Sequence, residues 1–383
     1  MSHPTHLEML RHLVQAPSVS SLNESLDQSN ATVVTYLADW LDSLNFRVEV
    51  LTLPSDPKKK NLVATKGTGE QGIVFAGHTD TVPTDERLWY TDPWDLVKSE
   101  DRVFGLGTCD MKGFFPVALS AAAAFSECRL REPITIVATA DEESSMSGAR
   151  YLTEIGKPKA SVCVIGEPTG MTPVFAHKGV MLMRIKVQGR AGHSSNPEAG
   201  CNALDVANAV MNELVEYRSR LRSKYRNTAF KVCYPTMNLG CLHAGDSANR
   251  ICSSAELQFD LRLLPGIDHE LTFEEMNQLV NAVAEKFGAQ IEFIMDSPAI
   301  PAYQTDTDGC LLKTLEKSVA KKSTTVSFGT EAPFFSELGM ETVVFGPGSI
   351  DQAHQANEYL ELAQIEPSQK VLEHLIHQYC VDR

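Results

Sequence analysis

The sequence predicts an α/β protein: a mostly parallel, doubly wound sheet with a ferredoxin-like α+β unit inserted into it. Three observations carry this. Short, almost wholly apolar runs at 73–76, 134–140, 162–166 and 342–346 alternate with helical stripes. Strands buried on both faces read that way, and strand–helix alternation favours parallel pairing. Between about 180 and 294 the order changes to strand, helix, strand, strand, helix, strand, which is the ferredoxin-like pattern. Finally, the apolar runs outside that segment lead into His, Asp or Glu, and open α/β sheets build their sites at the carboxyl ends of strands.

Taken in order, residues 5–15 carry Leu7, Leu10, Leu13 and Val14 at helical spacing, and Pro17 ends that helix. Residues 31–44 form a second amphipathic helix with Val34, Leu37, Ala38 and Leu41 inward. Residues 46–53 alternate like a strand, 54–60 are a polar turn, and 61–65 are a strand. The run at 73–76 is bounded by glycines and leads to His78. An aromatic loop, WYTDPW, follows at 89–94. The segment 103–108 leads to Asp110, and a helix is expected over 112–128. Pro116 fits its first turn, where backbone N–H groups lack partners anyway. In the middle, strands are expected at 181–188, 236–242, 254–262 and 290–295, with helices at 201–222 and 272–287. The domain expectation is therefore 1–179 with 295–383, and an inserted domain at 180–294.

The chain has 383 residues and a net charge of −15, with 43% hydrophobic and 22% charged residues. That is an ordinary globular composition. The acidity argues against nucleic-acid or anionic-membrane binding. Nine cysteines, an odd number without a CxxC pair, argue against a disulfide framework and for a reducing compartment, the cytoplasm. The N-terminus shows no signal-peptide pattern, and no stretch of about 18 apolar residues is present.

His78, Glu143, Glu167 and His354 follow four different strands, and Asp110 lies in a fifth loop. Singly these residues mean little, because a Glu-Glu pair is usually a solvated face. Brought to one sheet edge, two histidines and three carboxylates suit two zinc-like ions that share one carboxylate. Such a pair clamps an attacking water. Asp80 shares a face with His78 in extended chain, so its carboxylate is expected to orient the imidazole. In Asp141-Glu142-Glu143 adjacent side chains diverge. Glu143 can bind metal while Glu142 stays free as the base.

GHTDTVP, GLGTCDMKGF, ATADEESSMSGAR, IGEPTG and GHSSNPEAGCNA resemble the motifs of the acetylornithine deacetylase / succinyl-diaminopimelate desuccinylase / aminoacylase family of dinuclear zinc amidohydrolases. The likeness covers essentially the whole chain. It implies two zinc ions per subunit, with cobalt also compatible. His78 and Glu167 would hold one ion, Glu143 and His354 the other, and Asp110 would bridge. Glu142 would act as base and then as acid. The inserted domain would mediate homodimerisation, and its His193 would reach the partner's site to stabilise an oxyanion. Asn249 and Arg262 would grip a substrate carboxylate. One departure is Cys109, beside Asp110, where a small inert residue is expected.

The substrate so implied is a small N-acetylated amino acid. A planar guanidinium matches its α-carboxylate, which suits Arg262, with Arg250 as a second candidate. MKGFF, YPTMNLG, GTEAPFF and GPGSIDQAHQANEYLE are most similar to members acting on an acetylated diamino acid. The distal ammonium of such a substrate needs an acid, and Glu331 is assigned to it. Gly348, in the Gly/Pro loop before His354, completes the substrate set. Competing expectations are a succinylated diamino acid, a broader range of acylated amino acids, peptides, or a non-catalytic scaffold of the same fold.

Overall fold

The structure, a computed structural model, describes residues 4–382. The chain forms two compact units. The first comprises the residues up to Phe175, Thr305–Thr324, and Thr330 onward; the second comprises Ala176–Gln304 and Thr325–Gly329.

Across the sheet of the first unit the strands run Arg47–Thr52, Lys60–Lys66, Ile134–Thr139, Ile73–His78, Val162–Ile165 and Glu341–Val344. The last four are mutually parallel; the first two are added antiparallel at one side. Ile73–His78 and Ile134–Thr139 are buried at every residue, which is why their sequences do not alternate. Register levels the carboxyl ends: His78 lies beside Thr139, and Ile165 beside both Ala76 and Val344. Every loop that leaves this edge therefore starts at nearly the same height.

Helix Ala31–Ser43 packs on the first two strands, and Phe114–Ala123 packs against Ile365–Cys380. Phe75, Phe115, Leu119, Ile136 and Leu375 belong to the shared core. Phe114–Ala123 is shorter than the expected 112–128. Asp110 to Gly113 form a turn, so the helix begins later and Pro116 still falls in its first turn. Beyond Ala123 the N–H groups of Phe125, Ser126 and Cys128 reach back only three residues, which tightens the chain out of the α-helix.

In the second unit the sheet order is Thr236–Ala244, Ser254–Leu263, Gly179–Gln188, Gln290–Met295, antiparallel throughout. Helices Ala203–Lys224 and His269–Phe287 pack together, and Met183, Ile185, Leu214 and Val280 lie in the core. This is the ferredoxin-like arrangement. Asn202 and Asp268 cap the two helices with their side chains. A ribbon of Gly192–His193 with Arg250–Ile251 was not legible in the sequence. Among the described residues, no helix is long and apolar enough to cross a membrane.

The polar turn at 54–60 hides an interior residue. Lys59 is 2% exposed, and its Nζ lies 2.7 Å from Asp27 and 2.7 Å from Asp141. Asp141 opens the acidic loop 141–143. Removing one partner from a buried charge cluster strands the others. Lys59→Met is expected to lower the stability to urea by about 3–5 kcal/mol. A loss below about 1 kcal/mol, typical of an exposed pair, would contradict that role.

Candidate metal centre

His78 is the last residue of its strand and is buried. Its Nδ1 lies 3.0 Å from the backbone carbonyl of Asp80. The carboxylate of Asp80 stands farther off, at 3.7 Å. The expected orientation by the carboxylate is thus replaced by the carbonyl. Facing an acceptor, Nδ1 keeps its proton, which sets the ring's orientation and turns Nε2 toward Asp110. The Asp80 carboxylate instead accepts the N–H groups of Glu142 and Glu143, at 3.3 and 3.1 Å. It holds the neighbouring acidic loop.

That loop is pinned from its other side as well. Asp141 sits at φ +59°, and its carbonyl accepts N–H bonds from Ser144, Ser145 and Met146. Its carboxylate takes Lys59, Ser20 and Ser147. The tight turn sends Glu142 and Glu143 inward from fixed backbone.

The five predicted ligands converge. Nε2 of His78 is 3.1 Å from Oδ1 of Asp110 and 3.9 Å from Glu167. Nε2 of His354 is 3.4 Å from Oδ2 of Asp110 and 3.0 Å from Glu143. Two groups, His78/Asp110/Glu167 and Asp110/Glu143/His354, each bring ligand atoms within 4.8 Å, and both contain Asp110. A third group, His78/Glu142/Glu143, overlaps them. Imidazole nitrogens and carboxylate oxygens in these groups fit two zinc-class divalent cations that share one carboxylate.

Electrostatics agree with that fit. Burial, then repulsion from Asp110, pushes Glu167 well above the usual carboxylate range. Burial, then Glu167, does the same to Glu142. For Asp110 burial acts upward, but the bonds from His354 and His78 outweigh it and the pKa falls. The bonds to Asp110 and Glu143 raise His354 to about 10. Anions crowded this way are relieved by positive charge, and a bound cation supplies it directly.

Glu331 is 0% exposed. Its Oε2 accepts a bond from Thr139 at 2.9 Å, and burial pushes its pKa up to about 7. An acid assigned to a substrate ammonium has to be reachable, and Glu331, beside the cluster of His78 and Asp80, presents no exposed surface. Gly348 has φ +88°, and a Cβ there would meet Cys109 Sγ at 2.5 Å. Its N–H donates to Gln364. Cys109 is buried, its thiol donates to the Ser349 carbonyl, and burial raises its pKa, so it stays a neutral thiol. A hollow of about 770 Å³ lined by Lys317, Lys321, Lys370 and His374 contains none of the ligand residues.

The remaining predicted residues belong to the second unit. The ribbon pairs His193 with Arg250, and the Asn249 carbonyl accepts the Ser194 N–H, so those three are neighbours. His193 is exposed and bonded to Ser195. Arg250 is paired with Asp246 at 2.6 Å. Arg262 lies on the main sheet of that unit with Nε on Asp260 at 2.6 Å.

Sequence reasoning missed Lys59 and Glu358. Lys59 reads as one of three lysines in a turn, and only its buried partners distinguish it. Glu358 follows His354 by four positions. It is 2% exposed and accepts backbone N–H groups from the Asp110 loop.

Residues 74–378 match the model of Peptidase family M20/M25/M40. Among solved structures, the chain is similar to an M20 family metallo-carboxypeptidase from Sulfolobus solfataricus (18% identity, 98% of this chain and 99% of that one, TM-score 0.76). It is similar to the di-peptidase Dug1p of Saccharomyces cerevisiae (16%, 98% and 95%, 0.76). It is also similar to a dinuclear metal-binding M20 peptidase of Bacillus subtilis (17%, 98% and 97%, 0.67). At these identities the structures speak to the fold, and the sequence match settles the kinship: the chain is a metallo-hydrolase of the M20/M25/M40 peptidase family.

Proposed function

We propose that the protein hydrolyses N2-acetyl-L-ornithine to L-ornithine and acetate, using two zinc or cobalt ions. That reaction serves arginine biosynthesis in the cytoplasm. The observation that carries the two-ion part is Asp110, whose two oxygens face different histidines. The acetylornithine part rests on the motifs MKGFF, GTEAPFF and GPGSIDQAHQANEYLE.

When bound, the ions would be held by His78, Glu167, Glu143 and His354 with Asp110 between them, and they would lower the pKa of a water. The protein's own groups do the rest. Glu142 takes the proton of the attacking water. Its raised pKa suits a group that must first accept a proton and then return it to the leaving amine. The Asp80 carboxylate fixes the backbone from which Glu142 projects. His193 is assigned to the developing oxyanion, and Arg262 and Asn249 to the α-carboxylate, with Arg250 as the weaker alternative because Asp246 already holds it. These second-unit roles, and homodimerisation through that unit, come from the resemblance.

Hydrolysis of small peptides is the second reading, favoured by the dipeptidase and carboxypeptidase of the same fold. One assay panel separates the possibilities: acetylornithine, succinyl-diaminopimelate, acetylmethionine and dipeptides, before and after chelation. Acetylornithine should give the highest kcat/KM, chelation should abolish turnover, and zinc or cobalt should restore it. A dipeptide or the succinylated substrate leading the panel would reject the substrate assignment.

Glu142→Ala should retain both ions and lower kcat about 10²- to 10⁴-fold, the usual worth of a general base. Loss of an ion with the rate would make Glu142 a ligand, as its group with His78 and Glu143 permits. For Glu331 the burial decides the expectation. Glu331→Gln should leave the ratio of KM for acetylornithine to KM for acetylmethionine unchanged. A selective rise for acetylornithine would restore the ammonium-binding role.

A further inference from the structure

Glu358 is a buried carboxylate with no place in the chemistry above. Its Oε1 accepts the N–H of Cys109 at 2.7 Å and that of Asp110 at 3.0 Å. Its Oε2 accepts the N–H of Gly107 at 3.0 Å. The Glu358 carbonyl also accepts the Gly105 N–H. The whole segment 105–110 is thus gripped by one residue. Converging N–H groups of this kind form an anion-binding nest, here filled from within the chain.

The same residue is fixed to the last histidine. Four positions separate it from His354, which sits at φ +59°. Asn357, between them, accepts the Tyr90 N–H. Strand Tyr359–Glu361, starting next to Glu358, pairs with Arg102–Phe104, just before the gripped segment. Glu358 therefore stands where the segments bearing Asp110 and His354 meet.

A carboxylate offers only acceptors. A glutamine in its place would turn an NH₂ group toward at least one N–H. A buried acid beside Asp110 is also electrostatically costly. A clamp needing only bulk would not require it.

Resting on the two-metal reading, we propose that Glu358 is a positioning residue of the metal centre. Its carboxylate holds the backbone of residues 107–110 so that Asp110 presents one oxygen on the His78 side and the other on the His354 side.

The test is zinc binding by the full-length chain after chelator treatment, in competition with a chromophoric chelator, together with the visible spectrum of the cobalt-loaded protein. Wild-type protein should take two ions. Glu358→Gln should weaken at least one of them by about 10- to 100-fold, the usual effect of losing an outer partner of a ligand, and should alter the cobalt spectrum. Glu358→Asp keeps the charge but shortens the reach, and should fall between. It decides the matter alone should the glutamine variant not fold. A clamp that merely supports the fold would lower the melting temperature of the metal-free protein while leaving zinc affinity and cobalt spectrum unchanged, and that result overturns the inference. Fewer than two ions on the wild-type protein would instead overturn the two-metal reading and this inference with it.

Discussion

The carboxylate of Asp110 is the point on which the centre depends. One of its oxygens faces His78 and the other His354, so two half-sites exist only while that side chain keeps its orientation. His78 ends a strand, whereas Asp110 and His354 lie in loops contributed by distant parts of the sequence. Their meeting requires parallel strands whose carboxyl ends are level, and the register around Ile73–His78 provides that.

Level strands do not by themselves aim side chains. Aim comes from backbone N–H groups held by buried carboxylates. Asp80 takes the N–H groups of Glu142 and Glu143; Glu358 takes those of Gly107, Cys109 and Asp110. Asp141 is in turn neutralised by Lys59. The cluster thus contains two kinds of acid: those whose oxygens face the histidines and those spent on the backbone. A buried acid is costly unless it is paired or hydrogen-bonded, and each of the second kind has its donors. Burial still raises the pKa of acids of both kinds, Asp80 and Glu358 as well as Glu142 and Glu167, and a divalent cation beside the cluster relieves that state.

Much of this was readable in advance. Apolar runs without alternation gave the parallel strands, because double-faced burial leaves no polar positions. The five residues at or beyond the strand ends were expected to converge, and they do, because a sheet of this kind gathers its carboxyl ends. The β-α-β-β-α-β order gave the second unit. Other features were illegible for physical reasons. Lys59 looks solvated among its neighbours, since burial of a lysine depends on acids 32 and 82 positions away. The length of the helix after Asp110 depended on where the turn at Asp110–Gly113 ended. Glu331 looked like a reachable acid in a Gly/Pro turn, yet packing buried it completely.

The sequence alone therefore determined which residue types meet and at which end of which strands, since those follow from periodicity and the handedness of strand–helix connections. Tertiary structure decided which atom faces which. Orientation of His78 passed from the Asp80 carboxylate to its carbonyl, the freed carboxylate took the loop of Glu142, and Glu358 took the loop of Asp110. Hydrogen bonds are directional at the scale of tenths of an ångström, and no spacing along a chain encodes that.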